Sequence, residues 1–526
     1  MWAVIRTLLA FLTALLLLNS AAMAEEISDE TKACISCHEK ITPGIVEDWK
    51  RSRHAKTTPA EALKKPKIER RISSAPNEDL MNVVVGCYEC HSLNTENHED
   101  SFNHMGFVIN VIVSPKDCSE CHEEEFEEYM KSVKAHAVEN LDKNPVYHKL
   151  VETSTMSYSF ENGTLVEKGS SLNAQNETCY YCHGTKVTVK GTVIKNGVEV
   201  PDLEGWPNQG VGRINPDGSK GACTACHPRH GFSIEVARSP YTCAQCHLEP
   251  DVAAFNVWKE SKHGNIFLSE YKKYNMSAVP WKIGVDFKAP ACAVCHASLV
   301  VDKNGDVIAE RTHNFDSRIY IRIFGIYAHP QPKDGATWKI KNDQGLPLPT
   351  SLTGEPAKDY LIDEQEMKSR KEAMMKICKA CHSSDFVEGH FEKFEKTVEE
   401  SNKATLQATK LLLYAYEKGL ANNSNLFDEY IERLWVENWL FYGTSLRHGS
   451  AMGGPDYSTF KLGWYQITRN LQEMRDYLGF LEASKKETAK AEEVKTPEAK
   501  KSPFVGAALT ALAIVGVRRG EVLVRH

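Results

Sequence analysis

Between Gly205 and Asp251 the chain carries two C-x-x-C-H units, Cys223/Cys226/His227 and Cys243/Cys246/His247, with a further imidazole at His230. Two thiols at this spacing can form thioethers to one porphyrin while the following histidine binds its iron, which makes C-x-x-C-H the attachment pattern for c-type haem. The unit recurs at Cys34/Cys37/His38, Cys87/Cys90/His91, Cys118/Cys121/His122, Cys179/Cys182/His183, Cys292/Cys295/His296 and Cys378/Cys381/His382. Together the units use all 16 cysteines, leaving none for a disulfide or a nucleophile. Zinc knuckles need cysteine pairs but no histidine after each pair, and a disulfide framework leaves that histidine unexplained. The sequence therefore predicts eight covalently bound c-type haems, and electron transfer as the underlying chemistry.

The second face of each iron needs a ligand or a vacancy. Three histidines follow an aromatic residue and a serine: Trp49-Lys-Arg-Ser52-Arg-His54, Tyr129-Met-Lys-Ser132-Val-Lys-Ala-His136 and Trp258-Lys-Glu-Ser261-Lys-His263. On a short helix the aromatic ring and the imidazole can lie against one porphyrin. The expected distal ligands are His54, His136, His230, His263, His313 and His390, with His104 as the seventh. His98, His148 and His448 are weaker candidates, and Met105 and Met130 are the competing thioethers, since methionine also ligates cytochrome iron. Seven ligands for eight irons leave one open position, which catalysis requires. The unit without a neighbouring candidate is Cys179/Cys182/His183, followed by the polar, β-leaning run Val187–Asp202, which reads as a hairpin.

The elements that must position these groups follow from the rest of the chain. Met1–Ala24 has Arg6, an apolar run and an A-x-A site, the pattern of a secretory signal. Its removal takes the net charge from −7 to −8, an acidic balance that argues against a nucleic-acid partner. Residues 25–395 offer too few residues per porphyrin for separate cores. They read as one mainly α multihaem cytochrome c body with long irregular connections. A C-terminal helical bundle over 396–482 follows, with helices at Lys396–Leu420, Leu426–Tyr442 and Tyr457–Ala483 and a turn at Asn422–Asn425. In the third helix Phe460, Trp464, Ile467, Leu471, Met474, Leu478 and Leu481 form a heptad seam, suited to partner helices or to the monomer's own core. Residues 483–503 read as a charged tether, leading to an apolar tail at 504–526. Phe504–Val517 would span about 21 Å as a helix, short of a ~30 Å hydrocarbon core. With Arg518 and Arg519 behind it, the tail reads as a marginal membrane anchor or processed segment on an exported, extracytoplasmic protein.

The eight units, the run Gly205–Asp251, Ser261-Lys-His263-Gly, Tyr327-Ala-His-Pro330 and Arg447-His-Gly449 with Gly454-Pro-Asp-Tyr457 together resemble the octahaem hydroxylamine oxidoreductase family, from about Cys34 to Tyr477. The resemblance implies oxidation of hydroxylamine, or of hydrazine, to more oxidised nitrogen species. In related members it implies reduction of nitrite or hydroxylamine towards ammonia. It makes the fourth attached haem catalytic, and by chain order that is the Cys179/Cys182/His183 unit. It also implies Asp251 as a proton-handling acid, Tyr327 as the distal tyrosine, and Tyr457 as the tyrosine cross-linked to a neighbouring subunit's catalytic porphyrin, with Tyr442 and Tyr465 competing. A homotrimer and a redox partner, either a cytochrome or a quinone-linked protein, belong to the same implication. One position departs from the family. Where it reads Pro-Asp-His, this chain reads Pro250-Asp251-Val252, so one proton relay is missing and the pocket is drier. The contrasting reading is a non-catalytic electron conduit with every iron closed.

Overall fold

The computed structural model describes residues 27–195, 197–454 and 457–495. The secretory-signal reading (1–24) and the apolar-tail reading (504–526) fall outside them. The contacts divide the chain at Leu478/Gly479. Among the described residues no helix is long and apolar enough to cross a membrane.

Helices dominate, and most are short because each attachment unit is itself a helical turn. Two cysteines three apart lie on one face of such a turn. The turn closes on the histidine, whose amide donates to the carbonyl of the first cysteine at 3.0 Å for His122→Cys118 and His227→Cys223 and 2.9 Å for His247→Cys243. Cys87–His91, Cys179–His183 and Cys292–His296 are helices of this kind. Between them the chain folds into antiparallel hairpins. The expected hairpin after the fourth unit is present as Thr188–Lys195 paired with Val198–Glu204. A second, Met156–Glu161 with Thr164–Ser170, turns at Asn162-Gly163, both with positive φ as a tight hairpin turn needs. A third, Ser101–His104 with Phe107–Asn110, turns at Met105-Gly106. It leaves Met105 78% exposed at the edge of the interior cavity.

A buried ionic cluster pins the first half of the body. His98 lies between Asp100 Oδ1 at 3.0 Å, Asp117 Oδ2 at 3.2 Å and Asp217 Oδ2 at 3.8 Å, all fully buried. Burial opposes a charge here, but the hydrogen bonds the imidazole donates to Asp100 and Asp117 push its pKa up to about 10. A group whose folded pKa is raised gives stability that is complete below its unfolded value, about 6.5, and is lost as pH climbs through the folded one. His98→Gln should therefore cost about 3 kcal/mol at neutral pH, with the difference from wild type narrowing towards pH 10. Thermal unfolding of both proteins across that range checks the sign, and a gap that widens with pH would refute it.

The C-terminal helices share one core of Leu412, Ile431, Leu434, Trp435, Trp439, Met474 and Leu478. The first runs Ser384–Glu417, twelve residues earlier than the sequence reading placed it. Ser383 caps it by accepting the Phe386 amide, so the helix begins immediately after the last attachment unit and carries His390 back into the body. The second starts at Tyr430 and passes through a π-helical segment, Glu437–Gly443, into Thr444–Ala451. In the third, Ile467, Met474 and Leu478 are buried against the chain's own residues, whereas Phe460 is 55% exposed. The centre of the heptad seam is thus spent inside the protomer. The charged stretch expected as a tether continues as helix to Lys495.

Candidate functional site

A connected cavity of ≈ 2580 Å³ runs through the body. It is lined by all eight attachment histidines and by every attachment cysteine except Cys381, and all the thiols are free. Protein interiors pack to crystal-like density with few voids larger than a water, so an apolar space of this size edged by C-x-x-C-H turns fits porphyrin. The proximal imidazoles are oriented for metal. Nδ1 of His91 meets Asn110 O at 2.8 Å, Nδ1 of His183 meets Ala137 O at 3.2 Å, and Nδ1 of His38 meets Thr42 Oγ1 at 2.9 Å. Each leaves Nε2 free, the usual device for fixing a ligating tautomer.

Opposite them stand further imidazoles. Ring centres lie 6.2 Å apart for His38–His104, 6.4 Å for His122–His54, 6.5 Å for His227–His313 and 6.0 Å for His382–His263. Metal–imidazole bonds of about 2 Å on each side, plus the nitrogen-to-centre distances, give a span of about 6 Å for one ion between two rings. Nδ1 of His54, His104 and His313 is buried without a partner, as expected where the protein alone does not complete the site. His230 lines the cavity as an electrostatic neighbour of His91. His390 also lines it, although its Nε2 is held by Ala451 O at 3.1 Å, which leaves only Nδ1 for a metal.

Two expectations need correction. His136 does not line the cavity. Its Nε2 meets Met130 O at 3.0 Å and its Nδ1 faces Glu139 at 3.4 Å, so both nitrogens are used within the protein. Tyr327 is 3% exposed in the C-terminal core, where its hydroxyl donates to Leu352 O at 2.9 Å and Thr409 Oγ1 at 3.1 Å. Burial pushes its pKa up to about 12, and it is not among the residues lining the cavity. Tyr457, expected against a neighbouring subunit's porphyrin, donates within this chain to Glu249 Oε2 at 2.9 Å and braces the segment before Asp251.

Sequence reasoning missed three cavity groups. His329 gives Nδ1 to Pro330 O at 2.7 Å and leaves Nε2 buried without a partner. It is strand-paired with Arg322, and both line the cavity. Lys134 is the third, with Nζ 3.3 Å from Nε2 of His247. The Tyr327-Ala-His-Pro330 run held the signal for His329, since alternation along an extended segment turns Tyr327 and His329 to the same side unless the chain bends.

Around the fourth unit the charged neighbours of His183 are Asp251, Arg322 and Lys134. Asp251 opens onto the cavity beside Cys179 and Cys182. The protein around it raises its pKa by desolvation, while its own amide, His183 and the Val252 amide pull the other way. Val252 lines the same space. Behind the unit, the Val211 and Gly212 amides donate to Cys182 O and His183 O at 3.0 and 2.9 Å. A Cβ on Gly210 would fall 2.1 Å from the Gly184 amide nitrogen, so only glycine lets the two backbones meet. The Cys182 thiol is paired with Cys246, Cys118 with Cys223 and Cys243 with Cys292, which puts the fourth and sixth units edge to edge.

The family described as cytochrome c554 and c-prime matches residues 33–107 and 117–203. The family described as seven times multi-haem cytochrome CxxCH matches 215–318 and 353–425. A solved structure titled hypothetical multiheme protein is 49% identical, covers 89% of this chain and 99% of its own, and superposes with a TM-score of 0.83. A probable nitrite reductase-hydroxylamine oxidoreductase fusion protein of Kuenenia stuttgartiensis is 25% identical over 368 residues, 67% of this chain but only 34% of that relative. A reducing hydroxylamine-oxidoreductase-like complex of the same organism shares the fold, with a TM-score of 0.57 at 18% identity over 89% of this chain and 87% of that one. These relationships support a redox enzyme or an electron carrier with covalent c-type haem, a class typically found outside the cytoplasm. With the eight C-x-x-C-H turns gathered on one cavity and a 49% identical multihaem protein matched over nearly its whole length, the chain belongs to the multihaem c-type cytochromes.

Proposed function

We propose that the chain is an exported oxidoreductase for small nitrogen compounds, holding eight c-type haems of which seven carry electrons and the one on Cys179/Cys182/His183 keeps an open face. The observation that carries this reading is the company His183 keeps: a carboxylate whose pKa is raised by burial, a guanidinium and the Lys134 amine, where His38, His122, His227 and His382 each meet an imidazole. Bound there, haem supplies the iron that exchanges electrons with the nitrogen compound. The chain's own residues supply the rest. Ala137 O holds the His183 ring by Nδ1. Arg322 provides positive charge that favours an anionic or electron-rich ligand. Asp251 takes a proton when hydroxylamine is oxidised and returns one when nitrite or hydroxylamine is reduced. Val252 removes the second base that oxidising relatives carry, which tilts the balance towards reduction relative to them. The fourth unit's contact with the sixth gives electrons their route to a cytochrome or quinone-linked partner.

The test is the ferric, haem-loaded protein titrated with nitric oxide and assayed with hydroxylamine, hydrazine and nitrite in both electron directions. A high-spin haem that binds nitric oxide, with turnover of at least one substrate, is expected. Uniformly low-spin haems and no nitric oxide binding would make the protein an electron conduit.

A further inference from the structure

Three segments of this chain repeat one local structure. In each, a helix ends at a buried serine: Pro43–Arg51 before Ser52, Glu123–Lys131 before Ser132 and Ala254–Glu260 before Ser261. The serine amide donates back to the carbonyl of the aromatic residue three before it, at 2.8 Å to Trp49, 2.9 Å to Tyr129 and 3.1 Å to Trp258. All three serines leave the helix in extended conformation, with ψ of 164°, 147° and 168°. Each aromatic residue is tethered by its polar atom to a distant carbonyl, Trp49 to Val85, Tyr129 to Val211 and Trp258 to Pro290. The residue two beyond the serine then enters the cavity. In the first copy it is His54, facing His122, and in the third it is His263, facing His382.

In the middle copy that position is Lys134, and it faces His247. The separation of 3.3 Å between Nζ and Nε2 is somewhat short of the about 4 Å that two metal–nitrogen bonds on one axis span. Among the described residues no carboxylate pairs with this amine. The ring of Phe315 lies 5.2 Å from the amine. The amine thus stands against a proximal imidazole at the position where sister copies present imidazole. His136, the residue the sequence pattern pointed to, is turned away and used elsewhere.

We propose that Lys134 is the second axial ligand of the haem iron carried on Cys243, Cys246 and His247, giving that haem a histidine–amine pair. The inference rests on haem attachment at that unit and on nothing about substrate. If it fails, the reading of Asp251 and the fourth unit is untouched. Lysine must lose its proton to ligate, so this site binds by amine lone pair where the others use imidazole.

The experiment is electron paramagnetic resonance and near-infrared magnetic circular dichroism on the full, haem-loaded protein. Wild type is expected to show a low-spin ferric haem with the signature of imidazole–amine ligation beside bis-imidazole haems. Lys134→Ala should abolish that signature, produce a high-spin haem and, on reduction, add a carbon monoxide-binding haem. Lys134→His should restore low spin with bis-imidazole character, and His136→Ala should change none of these signals. The proposal is overturned if wild type shows only bis-imidazole signatures. It is equally overturned if Lys134→Ala leaves the low-spin population unchanged, or if His448→Ala, not Lys134→Ala, removes a ligand from this haem. Should Lys134→Ala fail to mature, the wild-type spectrum alone decides.

Discussion

Asp251→Asn is expected to lower turnover by about 10²-fold or more while leaving the haem spectrum unchanged, because a positioned acid–base group typically contributes about 10²–10⁴ in rate. The amide keeps the shape and hydrogen-bonding reach of the carboxyl but cannot exchange a proton. The pH dependence separates this from a packing effect. Burial raises the Asp251 pKa, so oxidation, which needs the carboxylate as acceptor, should slow as pH falls through that raised value. Reduction, which needs the acid, should slow as pH rises through it. In Asp251→Asn either limb should disappear. Steady-state rates against pH for both proteins supply the measurement, and an intact limb in the variant would remove Asp251 from the mechanism.

The largest stability effect should come from Arg447→Met. Arg447 is fully buried and donates to Ser401 Oγ at 3.0 Å, to the carbonyls of Ile323, Gly325 and Ile326 at 3.2, 3.2 and 3.3 Å, and to Asn402 Oδ1 at 3.1 Å. Methionine fills a similar volume but donates nothing, leaving several buried acceptors unpaired at about 1–3 kcal/mol each. A net loss of at least about 3 kcal/mol is expected. The damage should concentrate where the long helix Ser384–Glu417 meets the loop that carries His329. Thermal unfolding and hydrogen exchange of 323–329, at matched haem content, would show it. An unaltered transition and unaltered protection would mean the carbonyls find water instead.

These two residues also show what a single sequence reveals. The attachment units were fully readable, because thioether chemistry fixes residue type and spacing independently of the fold. Of the expected distal ligands, His54, His104, His263 and His313 each stand opposite a proximal ring. The middle repeat misled because the pattern was sought in imidazole. The serine sets the register, and two residues beyond Ser132 stands a lysine. Tyr327 was named where its neighbour His329 is the residue on the cavity, since the bend at Gly325–Tyr327 ends before the strand His329–Pro330 begins and breaks the alternation. Asp251 was named through the family resemblance of Pro250-Asp251-Val252, while Arg322 had no local signal and reaches the fourth unit only through tertiary folding. The first C-terminal helix begins earlier than composition suggested. The sequence was divided at 395/396 on composition, but the helix from Ser384 runs through that point, because its amphipathic face continues across the change.

The interior void described above has a consequence for biogenesis. A polypeptide whose central volume is shaped for covalently attached cofactors cannot complete its own packing first and receive them later, since the turns that present the cysteines would already be closed around empty space. Ligation must keep pace with the emerging chain. A strain deficient in the attachment machinery should therefore accumulate proteolytic fragments of this protein, not a stable colourless form.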